Sequence, residues 1–181
     1  MLQVGRRLPL LLGATLLALG CDASTPFGSD EQPGPLQQKA CALVGPGLRA
    51  QFGPGVVQDD SPFSGNLQTI TPTPTPVNND TRPQLISTQS GSAVQRKFFF
   101  ILPSLANGSY PTPQTYVSYT ESTSATSSTN PPNVWQSTNG EVTIGTCPGG
   151  GQFITVVSNW QPAQGSHASG NPSLGVYGRL P

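Results

Sequence analysis

The sequence predicts an all-β domain, a single sandwich or open barrel of about eight short, mostly antiparallel strands. Three features point there. The 181 residues include 21 glycines and 20 prolines, nearly a quarter of the chain, and both residue types destabilise a helix interior. Only 9% of residues are charged, against about 25% in an average domain, which excludes a charged coiled coil or a highly charged disordered tail. Along the body, β-branched and aromatic stretches alternate with turns rich in Gly, Pro, Asn and Ser, the pattern of many short strands.

The first element is a leader. Arg6 and Arg7 precede an uncharged apolar run, Leu8–Leu19. A helix that crosses a bilayer needs about 20 such residues. This run is shorter and fits the apolar region of a secretory signal peptide. Gly20 and Cys21 follow, and Leu17-Ala18-Leu19-Gly20-Cys21 resembles the lipobox of bacterial lipoproteins. Ala18 stands where that family most often has Leu. The resemblance implies a signal peptide over 1–20, cut just before Cys21, and a diacylglyceryl group on the Cys21 thiol. It also implies a protein that is exported and lipid-anchored to a bacterial membrane, on the periplasmic or surface side. One acyl chain holds a protein only marginally, whereas two or three hold it firmly.

Residues 21–35 are expected to be the lipidated cysteine and a flexible tether. The segment DASTPFGSDEQPGP after Cys21 has linker composition, and it should span about 20 Å root-mean-square. The β-rich domain is expected over 36–181. At its start, Leu36, Ala40, Leu43 and Val44 could share one face of a short helix ended by Gly45.

The strands follow in order. Leu48–Phe52, Leu67–Thr71 and Gln84–Thr88 are weak candidates. Lys97–Leu102 is stronger and is stopped by Pro103; Tyr116–Tyr119 comes next. Glu141–Cys147 alternates, with Val142 and Ile144 inward. Gln152–Trp160 is the clearest strand, and Pro148-Gly149-Gly150-Gly151 makes a hairpin turn between these two. Leu174–Leu180 closes the set. Two low-complexity pieces interrupt the body. The Thr-Pro repeat at 71–76 cannot be a central strand, because proline lacks the ladder N–H. The Ser/Thr-rich stretch 118–129 could run as an exposed edge strand into a loop. The segments FFFILPSLANGSYP, NGEVTIGTC and GQFITVVSNW loosely resemble uncharacterised β-rich lipoproteins of bacterial cell envelopes, a likeness that implies no activity.

The chain has three cysteines. With Cys21 taken by lipid, Cys41 and Cys147 remain in an oxidising compartment, and a disulfide between them is the default. Two buried free thiols are the alternative.

Candidates for chemistry are sparse. Eight basic residues balance eight acidic ones, with no basic cluster of the kind that nucleic acid requires. The lone histidine, His167, sits in a loop, and no G-x-S-x-G elbow accompanies it. Asp59-Asp60 and Asn78-Asn79-Asp80 are rich in oxygen ligands, yet neither matches a calcium loop and turn chemistry explains both. No cofactor or metal is therefore expected. Glu121 and Glu141 could approach across neighbouring strands as the carboxylate pair of a glycan hydrolase. Tyr110, Tyr116, Tyr119, Trp135, Trp160 and Tyr177 lie in or beside strands, either packing the core or presenting rings to a sugar or a partner protein. The expectation is a lipid-anchored cell-envelope protein without enzymatic activity, a structural or binding module for an envelope protein or glycan. The alternative is a cell-envelope glycan hydrolase working through Glu121 and Glu141.

Overall fold

The computed structural model describes residues 33–53, 56–72, 80–90, 93–123, 126 and 130–181. The leader, Cys21 and most of the Thr-Pro repeat lie outside the described residues.

One helix, α1 (Pro33–Cys41), comes first. It begins inside the stretch read as tether, because proline is tolerated in a first turn whose N–H groups have no intrahelical acceptor. Leu36 and Ala40 are fully buried, whereas Leu43 is half-buried and Val44 is fully exposed. The expected apolar face is therefore shorter: the helix stops at Cys41, and the chain has turned away by Val44.

Nine strands follow: β1 (Gly47–Phe52), β2 (Phe63–Ile70), β3 (Gln84–Ser90), β4 (Gln95–Ile101), β5 (Gly108–Pro111), β6 (Tyr116–Ser122), β7 (Asn133–Thr146), β8 (Gln152–Pro162) and β9 (Leu174–Arg179). All pairings are antiparallel. Eight strands form a ring in the order β7-β6-β4-β3-β2-β1-β9-β8, and β7 pairs with β8 to complete it. The barrel is thus closed rather than open, and it is not a sandwich. The ninth strand, β5, lies outside the ring. It pairs with Glu141–Ile144 of β7, on the edge whose earlier part, Asn133–Gln136, pairs with β6.

Each expected strand is present, and two features are new. β5 contains Gly108 and Pro111 and has no apolar alternation to betray it. β7 starts eight residues earlier than expected, at Asn133, because its first half carries a register shift between Ser137 and Asn139 that breaks the alternation. Gly140 follows the shift with φ 148°, and a Cβ there would run into the backbone of Val157. The Ser/Thr-rich stretch also differs from expectation. Its start belongs to β6, which is flanked by β4 and β7 and is no edge, with Ser118 and Glu121 buried.

Alternation sends one side chain in two into the ring. Leu48, Phe63, Leu67, Leu85, Phe98, Phe100, Val117, Tyr119, Trp135, Ile154, Val156, Trp160 and Val176 fill it, each at most 2% exposed. An eight-stranded barrel has an interior about wide enough for side chains, and here rings occupy it. Phe98 stands 4.9 Å from Phe63, 4.8 Å from Tyr119 and 6.2 Å from Trp160, between ring centroids. Tyr119 stacks on Trp135 at 5.7 Å. Of the six sequence-singled aromatics, Tyr119, Trp135 and Trp160 are core, and Tyr110, Tyr116 and Tyr177 are half-buried.

The two ends of the barrel differ. At one end, which we call the base, residues 102–107 pass beneath the core, with Leu102 buried and Leu105 packed against the core. Gln152 Nε2 donates to Leu105 O (3.2 Å) and to Asn107 Oδ1 (2.9 Å), holding this segment down. The β7–β8 turn is here, and Cys147 in it bonds Cys41 at the end of α1, 106 residues apart in sequence. Ala40 and Cys147 pack with Phe153 on the outer wall. The connections β1–β2, β3–β4, β6–β7 and β8–β9 gather at the opposite end, the mouth.

Reduction of the Cys41–Cys147 bond should lower the unfolding free energy by about 4 to 5 kcal/mol, the chain-entropy value for a loop near 100 residues. Equilibrium denaturation with and without reductant measures this. Superimposable curves would show that the bond adds nothing to the closed barrel.

Candidate functional site

The candidate site is the mouth. Arg96 on β4 and Glu121 on β6 are directly opposite in the strand register and both point inward, 2% and 1% exposed. Arg96 is in phase with Phe98 and Phe100, and Glu121 with Val117 and Tyr119, so the pleat that buries those rings also buries the two charges.

A buried charge is costly unless its hydrogen-bonding capacity is met. Here the β1–β2 connection meets it. Arg96 Nη1 donates to Ser61 O (2.6 Å) and Asp59 O (3.2 Å). Arg96 Nη2 donates to Gln89 Oε1 (3.0 Å), Ser61 Oγ (3.1 Å) and Pro62 O (3.3 Å). Its Nε lies 3.6 Å from Asp59 Oδ2. The guanidinium also sits over the rings of Phe52 and Phe63, 5.7 and 5.8 Å from their centroids. Glu121 accepts the N–H of Gln58 (2.8 Å) and of Asp59 (3.2 Å), and the Tyr119 hydroxyl (2.9 Å). A cation holds the loop's carbonyls and an anion holds its amides. Together they pin residues 58–62 across the mouth.

The electrostatics follow. Burial, the Glu121 charge and the hydrogen bond to it all push the Tyr119 phenol far above its ordinary pKa. The Ser61 hydrogen bond, with a smaller pull from Arg96, holds Asp59 below the usual carboxylate range. Asp80, the other oxygen-rich candidate, is gripped by Arg82 at 2.6 Å, which draws its pKa down to about 2. Asn78 and Asn79 lie outside the described residues. Among the described residues, no three His, Cys, Asp or Glu side chains gather as metal ligands.

Glu121 and Glu141 do not meet. Glu121 is opposite Asn133 at the mouth, and Glu141 is eight residues further along β7. At about 3.4 Å per residue that is roughly 27 Å, against about 5–10 Å for a glycosidase pair. Glu141 is also exposed on the outer wall, where Ser109 Oγ donates to it at 2.6 Å. The approach that the alternative hydrolase reading needs does not occur, because the long β7 carries its two halves to different partners. His167 is exposed and lines a cleft of about 180 Å³ that Glu121, Gln58 and Asn133 also line.

Two further clefts open in this half of the barrel. One, of about 500 Å³, is bounded by Asp59, Ser61, Gln89 and Arg96. The other, of about 460 Å³, lies in the wall between β8 and the segment entering β9. That segment is fixed by Gly170, which has φ 68°, packs against Val56 with no room for a Cβ, and accepts the Trp135 indole N–H at 3.3 Å. Comparison with family models, curated proteins and solved structures finds no match.

Arg96 escaped the sequence reading as a site residue, although its phase with Phe98 and Phe100 carried the signal. Glu121→Ala should orphan three donors and destabilise the protein by about 3 kcal/mol, whereas Glu121→Gln, which keeps an acceptor, should cost less. Urea denaturation with exchange of the Gln58 amide reads this. An alanine variant as stable and as protected as wild type would remove the clamp.

Proposed function

We propose that this chain is a lipid-anchored binding module of the bacterial cell envelope, without enzymatic activity of its own. The observation that carries this reading is the use of the buried charges. The donors of Arg96 and the acceptors of Glu121 are engaged by the protein's own residues 58–62 and by Gln89 and Tyr119. They act as a clamp on a loop: each borders a cleft, but its hydrogen-bonding groups are engaged by that loop and its neighbours and are not left free as an acid–base pair.

The polarity of the barrel supports the same reading. The segment that leads from Cys21 into the domain arrives through α1, which ends at the base. The described clefts open in the other half, along the mouth and its adjoining wall. A filled, doubly plugged barrel is a rigid support rather than a container, so recognition falls to its rim and walls. The lipobox-like run Leu17–Cys21 supplies the anchor, and the mature chain begins at an acylated Cys21 held on the periplasmic or surface side of a bacterial membrane.

Growth with a radiolabelled fatty acid should label the wild-type protein and leave Cys21→Ala unlabelled, unprocessed and displaced from membranes. Equal labelling of the two would end the anchoring part of the proposal.

A further inference from the structure

We infer that the cleft in the barrel wall between β8 and the start of β9 is a binding site for a neutral saccharide. This deepens the binding-module reading and rests on it.

The cleft exists because one ladder stops early. β8 and β9 pair only from Phe153↔Arg179 to Val156↔Val176, although β8 continues to Pro162. Continuing that register would set Ser158 opposite Leu174 and Trp160 opposite Pro172, and proline has no N–H to give a ladder. Leu174 instead pairs with Phe52 of β1, and the carbonyl of Ser173 takes the N–H of Gly53 at 2.8 Å. The chain entering β9 thus follows β1 and leaves β8, and the wall parts between them. The opening measures about 460 Å³, within the range of small-ligand sites of about 300–1,000 Å³.

Its chemistry is uniform. None of the residues lining it is charged. Trp160 contributes to it, and that residue is 1% exposed with an indole Nε1–H that has no hydrogen-bond partner. A buried donor without an acceptor is rare in a folded protein, and this one belongs to a residue that borders the cleft, which makes its resonance a reporter of what happens there. The cleft is also lined by Asn159, Gln161 and Asn171, all exposed and without a side-chain partner among the described residues. Thr138 and Ser158 add hydroxyls, already tied to the backbone: Thr138 Oγ1 to Asn159 O at 3.4 Å and Ser158 Oγ to Asn139 O at 3.1 Å. Each carboxamide presents a donor pair and an acceptor side by side. That arrangement suits vicinal hydroxyls, each of which both gives and takes a hydrogen bond. An ionic ligand would find no counter-charge in this cleft.

The test uses the full chain and its own reporters. It has two tryptophans, so the indole N–H region of its spectrum holds two resonances, and Trp135→Phe assigns them. Titration with cellobiose and with chitobiose should move the Trp160 indole resonance saturably, with little change at Trp135. Asn171→Ala and Gln161→Ala, both at exposed positions, should each weaken the response about tenfold, the value of one hydrogen bond near 1.4 kcal/mol. Glu141→Gln, outside the cleft, should leave it unchanged. If neither sugar moves the Trp160 resonance, or if both alanine variants respond like wild type, the inference is overturned. Saturation by tetra-alanine with no response to sugars would also overturn it, giving the cleft to an extended peptide. Loss of the sugar response with fatty-acid labelling of Cys21 intact would remove the ligand class and leave the anchored module standing.

Discussion

The structure depends on the pairing of its first strand with its last. β1 meets β9 over six residue pairs, from Gly47↔Arg179 to Phe52↔Leu174. Without it both strands would be open edges, each with a row of unpaired N–H and C=O groups. With it the sheet closes, and closure at eight strands fixes how much room the interior has. The rings of Phe63, Phe98, Tyr119, Trp135 and Trp160 take that room. The contact is distant in sequence, so its loop-closure entropy must be met by other means. The Cys41–Cys147 bond does part of this, since it fixes the residues just before β1 to the turn that leads into β8, the neighbour of β9.

A filled barrel places its polar chemistry at the ends and on the walls. The chain has few charges, and two of them are spent where water is excluded. Arg96 and Glu121 replace their lost hydration with the backbone of residues 58–62. A pair of this kind adds little net stability compared with apolar packing, but removing one partner is costly. Its effect is positional: it decides which residues lie across the mouth. Asp59 joins from the loop itself, so the connection contributes its own counter-charge. The three described clefts share this half of the barrel, and the Gln58 backbone held by Glu121 belongs to a residue lining two of them.

Most of the fold was legible because period-two alternation survives in short strands. Gln152–Trp160 and Leu174–Leu180 could be read directly, and the lone pair of body cysteines named the disulfide. Three things were hidden. β5 is held by its partner strand, not by its own four residues. The first half of β7 contains a register shift, which resets the alternation and conceals the strand. Closure itself is a long-range event, and no local pattern separates a closed barrel from an open one. The candidate site was half legible. Glu121 was singled out for its charge and assigned to a pair with Glu141 that the length of β7 forbids. Its true partners are amides of a loop 62 and 63 residues away in sequence, and backbone groups leave no mark on a sequence. Trp160 was noted as an aromatic, but that its indole is buried without a partner is a matter of three-dimensional packing, which no residue pattern shows.

Native-state hydrogen exchange across β1 and β9 tests closure most directly. A strand joined on both sides opens only with the whole domain, whereas a frayed edge opens locally at far lower cost. The amides of Leu48, Ala50, Val176 and Gly178 should exchange with the free energy of global unfolding, alongside those of Phe98 and Phe100 in β4. Rapid exchange in β1 and β9 while β4 stays protected would show an open sheet, and would contradict the closed barrel on which the clamp, the clefts and their proposed roles rest.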